Sequence, residues 1–139
     1  MDKPRQKLTM LRIEGFKSIG KEQKITFGDI NVMIGANGVG KSNLVSFFQL
    51  LNYLTTDKLQ FGIGKQGYAD SLLYYGSQKT ESFSATLKFE DNLWVDEYSF
   101  ALTYAYRGQM MFAYETIYHK PKDKIAMAKE IKKDLGSGH

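Results

Sequence analysis

The chain of 139 residues contains no cysteine, so neither a disulfide framework nor a thiolate metal site can form. A reducing cytoplasm is the compartment this absence fits. Histidine occurs only twice, which leaves too few soft ligands for a structural zinc site. No apolar run approaches the length needed to span a bilayer, so no membrane partner is expected. The start, Met1 to Met10, is polar and lacks an apolar h-region, and no signal peptide is expected there. Low-complexity tracts, internal repeats and the composition of a disordered chain are also missing.

What is present suits one domain with a packed interior. Apolar residues make up 42% and charged residues 24%, and the length fits a single core. Nine tyrosines and nine phenylalanines favour a β-rich portion with well-filled faces. The net charge of +4 admits a nucleic-acid partner but equally describes a solvated, lysine-rich surface.

Alternation marks a strand over Lys7 to Ile13, with Leu8, Met10 and Arg12 on one face and Thr9, Leu11 and Ile13 on the other. Gly15 to Gly20 is a turn, and Glu22 to Phe27 is a second short strand. Ile30 to Ile34 is a third, more apolar strand. Lys41 to Leu54 reads as a helix, because Leu44, Phe47, Phe48, Leu51 and Leu54 recur at spacings of three and four. Lys58 to Thr80, broken by Gly62, Gly64, Gly67 and Gly76, reads as a long irregular connection with a helical turn at Ala69 to Tyr75. Ser82 to Phe89, Trp94 to Tyr106 and Met110 to His119 alternate around short turns, as an antiparallel meander does. Lys122 to Leu135 reads as a helix, either a packed terminal one or the base of a longer arm, and Gly136 to His139 as a linker or cloning scar.

The chemistry is concentrated in Gly35-Ala36-Asn37-Gly38-Val39-Gly40-Lys41-Ser42, which matches G-x-x-x-x-G-K-[ST] at every fixed position. A chance match in a chain of this length has odds of roughly one in two hundred. An apolar strand precedes the loop and an amphipathic helix follows it, as phosphate binding requires. Glycines let backbone N–H groups turn toward phosphate oxygens, and the helix start adds unpaired N–H groups and a positive dipole end. Lys41 would reach the β- and γ-phosphates as a point charge, and the Ser42 hydroxyl is a hard oxygen ligand for Mg²⁺. The expected ligand is therefore ATP with Mg²⁺, held by Gly35, Asn37, Gly38, Val39, Gly40, Lys41 and Ser42, with Asn43 beside them.

The string Leu11-Arg12-Ile13-Glu14-Gly15-Phe16-Lys17-Ser18, the phosphate loop and the following Asn43-Leu44 together resemble the amino-terminal end of SMC, RecF and RecN-type ATPases, which have ABC-type heads. Asp70 to Gly76 followed by Ser84 to Phe89 is similar to the segment those proteins carry after the phosphate-loop helix. Of these groups, the spacing is nearest to RecF-like ATPases and those of bacterial defence. The resemblance implies that Asn37 to Ser42 hold phosphates and Mg²⁺ and that Lys17 and Ser18 approach the nucleotide. It implies a second ATPase lobe or a homodimer head as partner, with DNA as a candidate target. A loop glutamine usually completes the family's Mg²⁺ site, but the alignment does not bring Gln109 there.

Parts of such an engine are missing from the sequence. No apolar strand ends in Asp-Glu, no Leu-Ser-Gly-Gly-like signature appears, and His119 lacks the surroundings of a switch histidine. The expectation is an α+β P-loop lobe over residues 1–121, with a mixed β-sheet carrying the phosphate-loop helix and a β-meander packed alongside. Residues 122–139 would form a terminal helix and tail. Such a lobe would bind ATP and hydrolyse it only with a carboxy-terminal lobe. A nucleotide sensor that needs no hydrolysis is the alternative. A kinase or GTPase fits poorly, because no strand-borne aspartate follows at the right distance and no Asn-Lys-x-Asp is present.

Overall fold

The computed structural model describes residues 6–28, 38–122 and 131–134, the short stretches 38–40 and 131–134 by backbone alone. Strong alternation in Ser82–Glu90 builds the middle of the sheet, with Phe83, Ala85 and Leu87 buried on one side. This strand is β3. It pairs antiparallel with β1 (Lys7–Glu14) and with β4 (Trp94–Tyr104). The register sets Leu87 opposite Leu11, Ala85 opposite Ile13 and Phe100, and Phe83 opposite Leu102. β2 (Gln23–Thr26) closes one edge, and β5 (Met110–Pro121) continues the other side. With β6 (Ile131–Asp134) on the far side of β5, the full order is β2-β1-β3-β4-β5-β6.

The meander therefore does not pack alongside a separate sheet; it extends the same one. Every pairing between described strands is antiparallel. The apolar run Ile30 to Ile34, expected to make the sheet mixed, lies outside the described residues. Turn chemistry explains the order. Asp91 Oδ1 accepts hydrogen bonds from the N–H groups of Leu93 (2.8 Å) and Trp94 (2.7 Å), fixing the β3–β4 turn. Arg107 (φ 57°) and Gly108 (φ 79°) are both left-handed, and Gln109 N donates to Tyr106 O at 3.2 Å. Ala105 N donates to Gln109 O at 2.8 Å, so the left-handed pair sits in a three-residue hairpin loop, Tyr106 to Gly108.

Two expectations need correction. The helix expected over Lys122 to Leu135 gives way at Ile131–Asp134 to a strand, β6, paired antiparallel with β5 from Thr116 to His119. The apolar spacing mimicked a helix, but the open edge of β5 offers backbone partners, and tertiary pairing overrides local propensity. Residues 123–130 lie outside the described ones. The second correction concerns β1. The register shifts between Leu8 and Met10, so Leu8 packs on the core side with Leu11 and Ile13. The Thr9 hydroxyl, at the shift, donates to Lys88 O at 3.3 Å.

Three helices cover the core face. α1 (Gly38–Thr55) begins three residues before the expected start and buries Leu44, Phe47 and Leu50. Lys58 to Thr80 holds more order than its glycines suggest: α2 (Leu59–Lys65) and α3 (Tyr68–Leu72) lie within it. Gly62 is needed inside α2 because a Cβ there would meet the Tyr53 ring at 2.6 Å. Close packing on α1 thus outweighs the weak helix propensity of glycine.

The Gly15 to Gly20 turn joins sheet to helices. Lys17 N donates to Leu72 O at 2.8 Å, and Tyr74 N donates to Gly15 O at 3.0 Å. Gly15 is left-handed (φ 81°), and a Cβ there would sit 2.8 Å from Ser82 O. Gly15→Ala should lose about 2 kcal/mol or more, from left-handed strain plus a backbone clash. Denaturant titration against the parent chain checks this, and an unchanged midpoint would contradict it.

Candidate nucleotide site

The first turn of a long helix leaves backbone N–H groups without intrahelical partners. In α1 that turn carries no acid, and both Lys41 and Ser42 are exposed there. The 18-residue helix presents the positive end of its dipole at the same place. Gly38, Val39 and Gly40 are already helical in backbone, while Gly35, Ala36 and Asn37 lie outside the described residues. An exposed ammonium, an exposed hydroxyl and N–H groups without intrahelical partners, with no acid in the turn, form a donor set that fits phosphate, with Ser42 left for Mg²⁺.

Asn43 is the polar residue that α1 buries, and it links the helix to the Gly15 to Gly20 turn. Its Nδ2 donates to Ser18 Oγ. The neighbouring Phe16 is fully buried against Phe47 of α1, with ring centroids 5.8 Å apart. Ser18 is therefore brought against the start of α1, although it is far from it in sequence. Lys17 is left-handed (φ 50°) and half-buried, and partial burial lowers its ammonium pKa.

Beyond Lys17 and Ser18 opens a cleft of about 630 Å³, whose other walls include Asp70, Leu73, Tyr74, Tyr75 and Gly76. This volume lies within the ordinary range for small-molecule sites. Tyr75 is left-handed (φ 58°) and followed by left-handed Gly76 (φ 84°). Its ring is 77% exposed and meets Tyr74 edge-on at 4.4 Å. Asp70 Oδ1 accepts from Ser77 Oγ (2.6 Å) and Ser77 N (2.9 Å), and these bonds hold its carboxyl below the usual range. The cleft thus carries one cation, one carboxylate and one open aromatic face.

Sequence reasoning named Lys17 and Ser18 and gave the opposite wall no role. Its signals there were the glycine-broken connection and the resemblance carried by Asp70 to Gly76. Gln109 follows the β4–β5 turn and is not among the residues lining the cleft. His119 stacks on Trp94 at 4.3 Å and pairs with Asp96, a cross-strand contact between β5 and β4.

Fold and corner together define an α+β domain whose glycine-led helix aims its positive end beside an open cleft. The family model of the AAA domain matches residues 10–135, and the chain belongs to that family. Membership makes this an AAA-type P-loop ATPase domain, which implies ATP binding and, typically, Mg²⁺. A comparison with curated proteins returns no match. No helix among the described residues is long and apolar enough to cross a membrane.

Ser77→Ala should raise the Asp70 pKa toward its ordinary value, because the Ser77 hydroxyl is the largest cause of its depression. A depressed folded-state pKa adds stability above the unfolded-state pKa, and the contribution is lost as pH falls through the folded value. The variant should therefore show a smaller acid-side loss of stability. Carboxyl NMR titration of both chains measures the shift; equal Asp70 midpoints would count against the assignment.

Proposed function

We propose that this chain is the amino-terminal ATP-binding lobe of an SMC/RecF-like ATPase, of the kind that serves DNA maintenance or defence. The observation that carries this reading is the Asn43–Ser18 hydrogen bond. It ties the residue after the Lys41-Ser42 pair to the Phe16-Lys17-Ser18 turn, so the two strings that resemble those ATPases meet at one corner. Gly35, Asn37, Gly38, Val39 and Gly40 would supply loop flexibility and backbone N–H groups. Lys41 holds the β- and γ-phosphates as a point charge. Ser42 supplies one oxygen ligand to the metal, and Asn43 keeps Ser18 in position. Lys17 adds a second cation at the rim. The cleft past it takes the rest of the nucleotide, with Tyr75 offering a stacking face. ATP with Mg²⁺ supplies the transferable phosphoryl group and part of the charge compensation.

Hydrolysis needs an oriented water and a carboxylate near the metal. The sequence has no apolar strand ending in Asp-Glu, so these parts belong to a second lobe. Binding would then gate the docking of that lobe or of another head.

Calorimetry with Mg²⁺-ATP tests the reading. The parent chain should bind, and Lys41→Ala should weaken binding by about tenfold or more, the scale expected for removing a charge-assisted contact. Supplying a carboxy-terminal lobe should then produce turnover. Binding without turnover in that mixture would favour a nucleotide sensor, and equal binding by both chains would remove Lys41 from the site.

A further inference from the structure

A second corner of the surface gathers aromatic rings and cations, and nothing in the nucleotide reading uses it. It forms where α2, the start of α3 and the β4–β5 turn meet. Phe61, Tyr68 and Tyr106 are 58%, 48% and 73% exposed. Exposed rings mark an interaction site when they gather on one part of a surface. Here the backbone brings their elements together, and Phe61 also meets the Tyr53 ring at 5.6 Å. Ala69 N donates to Gly108 O at 2.9 Å, which docks the hairpin turn on α3. Gly64 lies under the Tyr68 ring, and Gly108 sits so near that a Cβ would be 3.2 Å from Tyr68 Cβ.

Each outer ring carries its own cation. Lys65 Nζ stands 6.0 Å from the centroid of Phe61, and the Arg107 guanidinium stands 5.2 Å from that of Tyr106. The exposed Lys58 begins the same segment. Residues 58–69 and 103–114 contain no Asp or Glu. Of the acids beside these stretches, Asp70 is engaged by Ser77 and Glu115 by the Tyr98 hydroxyl, while Asp57 and Glu81 are exposed. Two of the five left-handed non-glycine residues among the described ones, Tyr68 (φ 69°) and Arg107 (φ 57°), lie here on either side of Gly108. Such strain recurs where side chains are held for a ligand.

The pattern is ring plus cation, bridging ring, ring plus cation. A matching partner alternates flat faces with negative charges along one chain. We propose that this corner binds single-stranded nucleic acid, with bases on Phe61, Tyr68 and Tyr106 and phosphates on Lys58, Lys65 and Arg107. Stacking is available only when base faces are free, so a single strand fits and a closed duplex does not. The proposal is independent of the phosphate loop.

The test is fluorescence anisotropy of the full chain with a labelled oligothymidylate of about 12 nucleotides. The single strand should bind about tenfold or more tightly than a duplex of equal length. Tyr106→Ala should weaken binding about tenfold, the scale of one lost base stack, and Tyr106→Trp should keep it. Joint Lys65→Glu and Arg107→Glu should weaken binding further and flatten its salt dependence. These side chains are exposed, so thermal melting should confirm that the variants fold. Lys41→Ala should bind the oligonucleotide normally even where ATP binding is lost. Absence of binding overturns the proposal, as does equal duplex binding that ignores Tyr106→Ala, which is plain charge attraction. Displacement of the strand by polyglutamate at equal charge would point to an acidic protein partner and also overturn it. Loss of the oligonucleotide in Lys41→Ala would place it on the phosphate loop and do the same.

Discussion

The ring of Phe16 lies fully buried between Phe47 of α1 at 5.8 Å and Phe83 of β3 at 5.0 Å. Its backbone bridges both Ile19 and Leu73. One side chain in a short turn thereby joins the sheet, the long helix and the end of α3. Burying a ring of this size contributes about 1.5–3 kcal/mol from transfer alone, and edge-on aromatic contacts add to it. Its larger effect is positional. With Phe16 seated, Ser18 meets Asn43 of α1, and Leu72 O is committed to Lys17 N. The corner where the two conspicuous sequence strings meet is a by-product of hydrophobic packing one residue away.

Local pattern was enough for much of the architecture and failed where distant contacts decide. β3, β4 and β5 follow a period of two so closely that their ends fall near the alternating runs. The stripe on α1 was equally plain, although Leu50 shares its centre with Phe47. α2 was hidden because Gly62 and Gly64 weaken any helical reading, and only the Tyr53 ring explains the need for Gly62. β6 was hidden because Ile131 and its neighbours suit a helix until the edge of β5 is available. The shift at Thr9 turned Leu8 to the opposite face, and alternation alone cannot reveal a bulge.

The candidate site divides along the same line. Its glycine-rich half is a contiguous sequence motif, so Lys41 and Ser42 could be named as candidates at once. The cleft is assembled from Lys17, Asp70 and Tyr75, which meet only after the turn and α3 are strapped together. Left-handed backbone at Lys17 and Tyr75 leaves no trace in composition, since neither residue type advertises it. Among eighteen tyrosines and phenylalanines, nothing but exposure separates Tyr75 and Tyr106 from the rings that fill the core.

The seam between β1 and β3 has a further consequence. Leu11 pairs with Leu87, so the chain between them, holding the phosphate loop and all three helices, is one large closed loop. By contrast, β3, β4 and β5 are joined by tight turns. Closing the large loop costs roughly 2–3 kcal/mol more in chain entropy than closing a hairpin. The meander can hold together through local pairing, whereas the corner around Ser18 and Asn43 exists only while that seam stays zipped. Partial opening would therefore erase this corner first and leave most of the sheet standing, which makes its integrity a sensitive reporter of the whole seam.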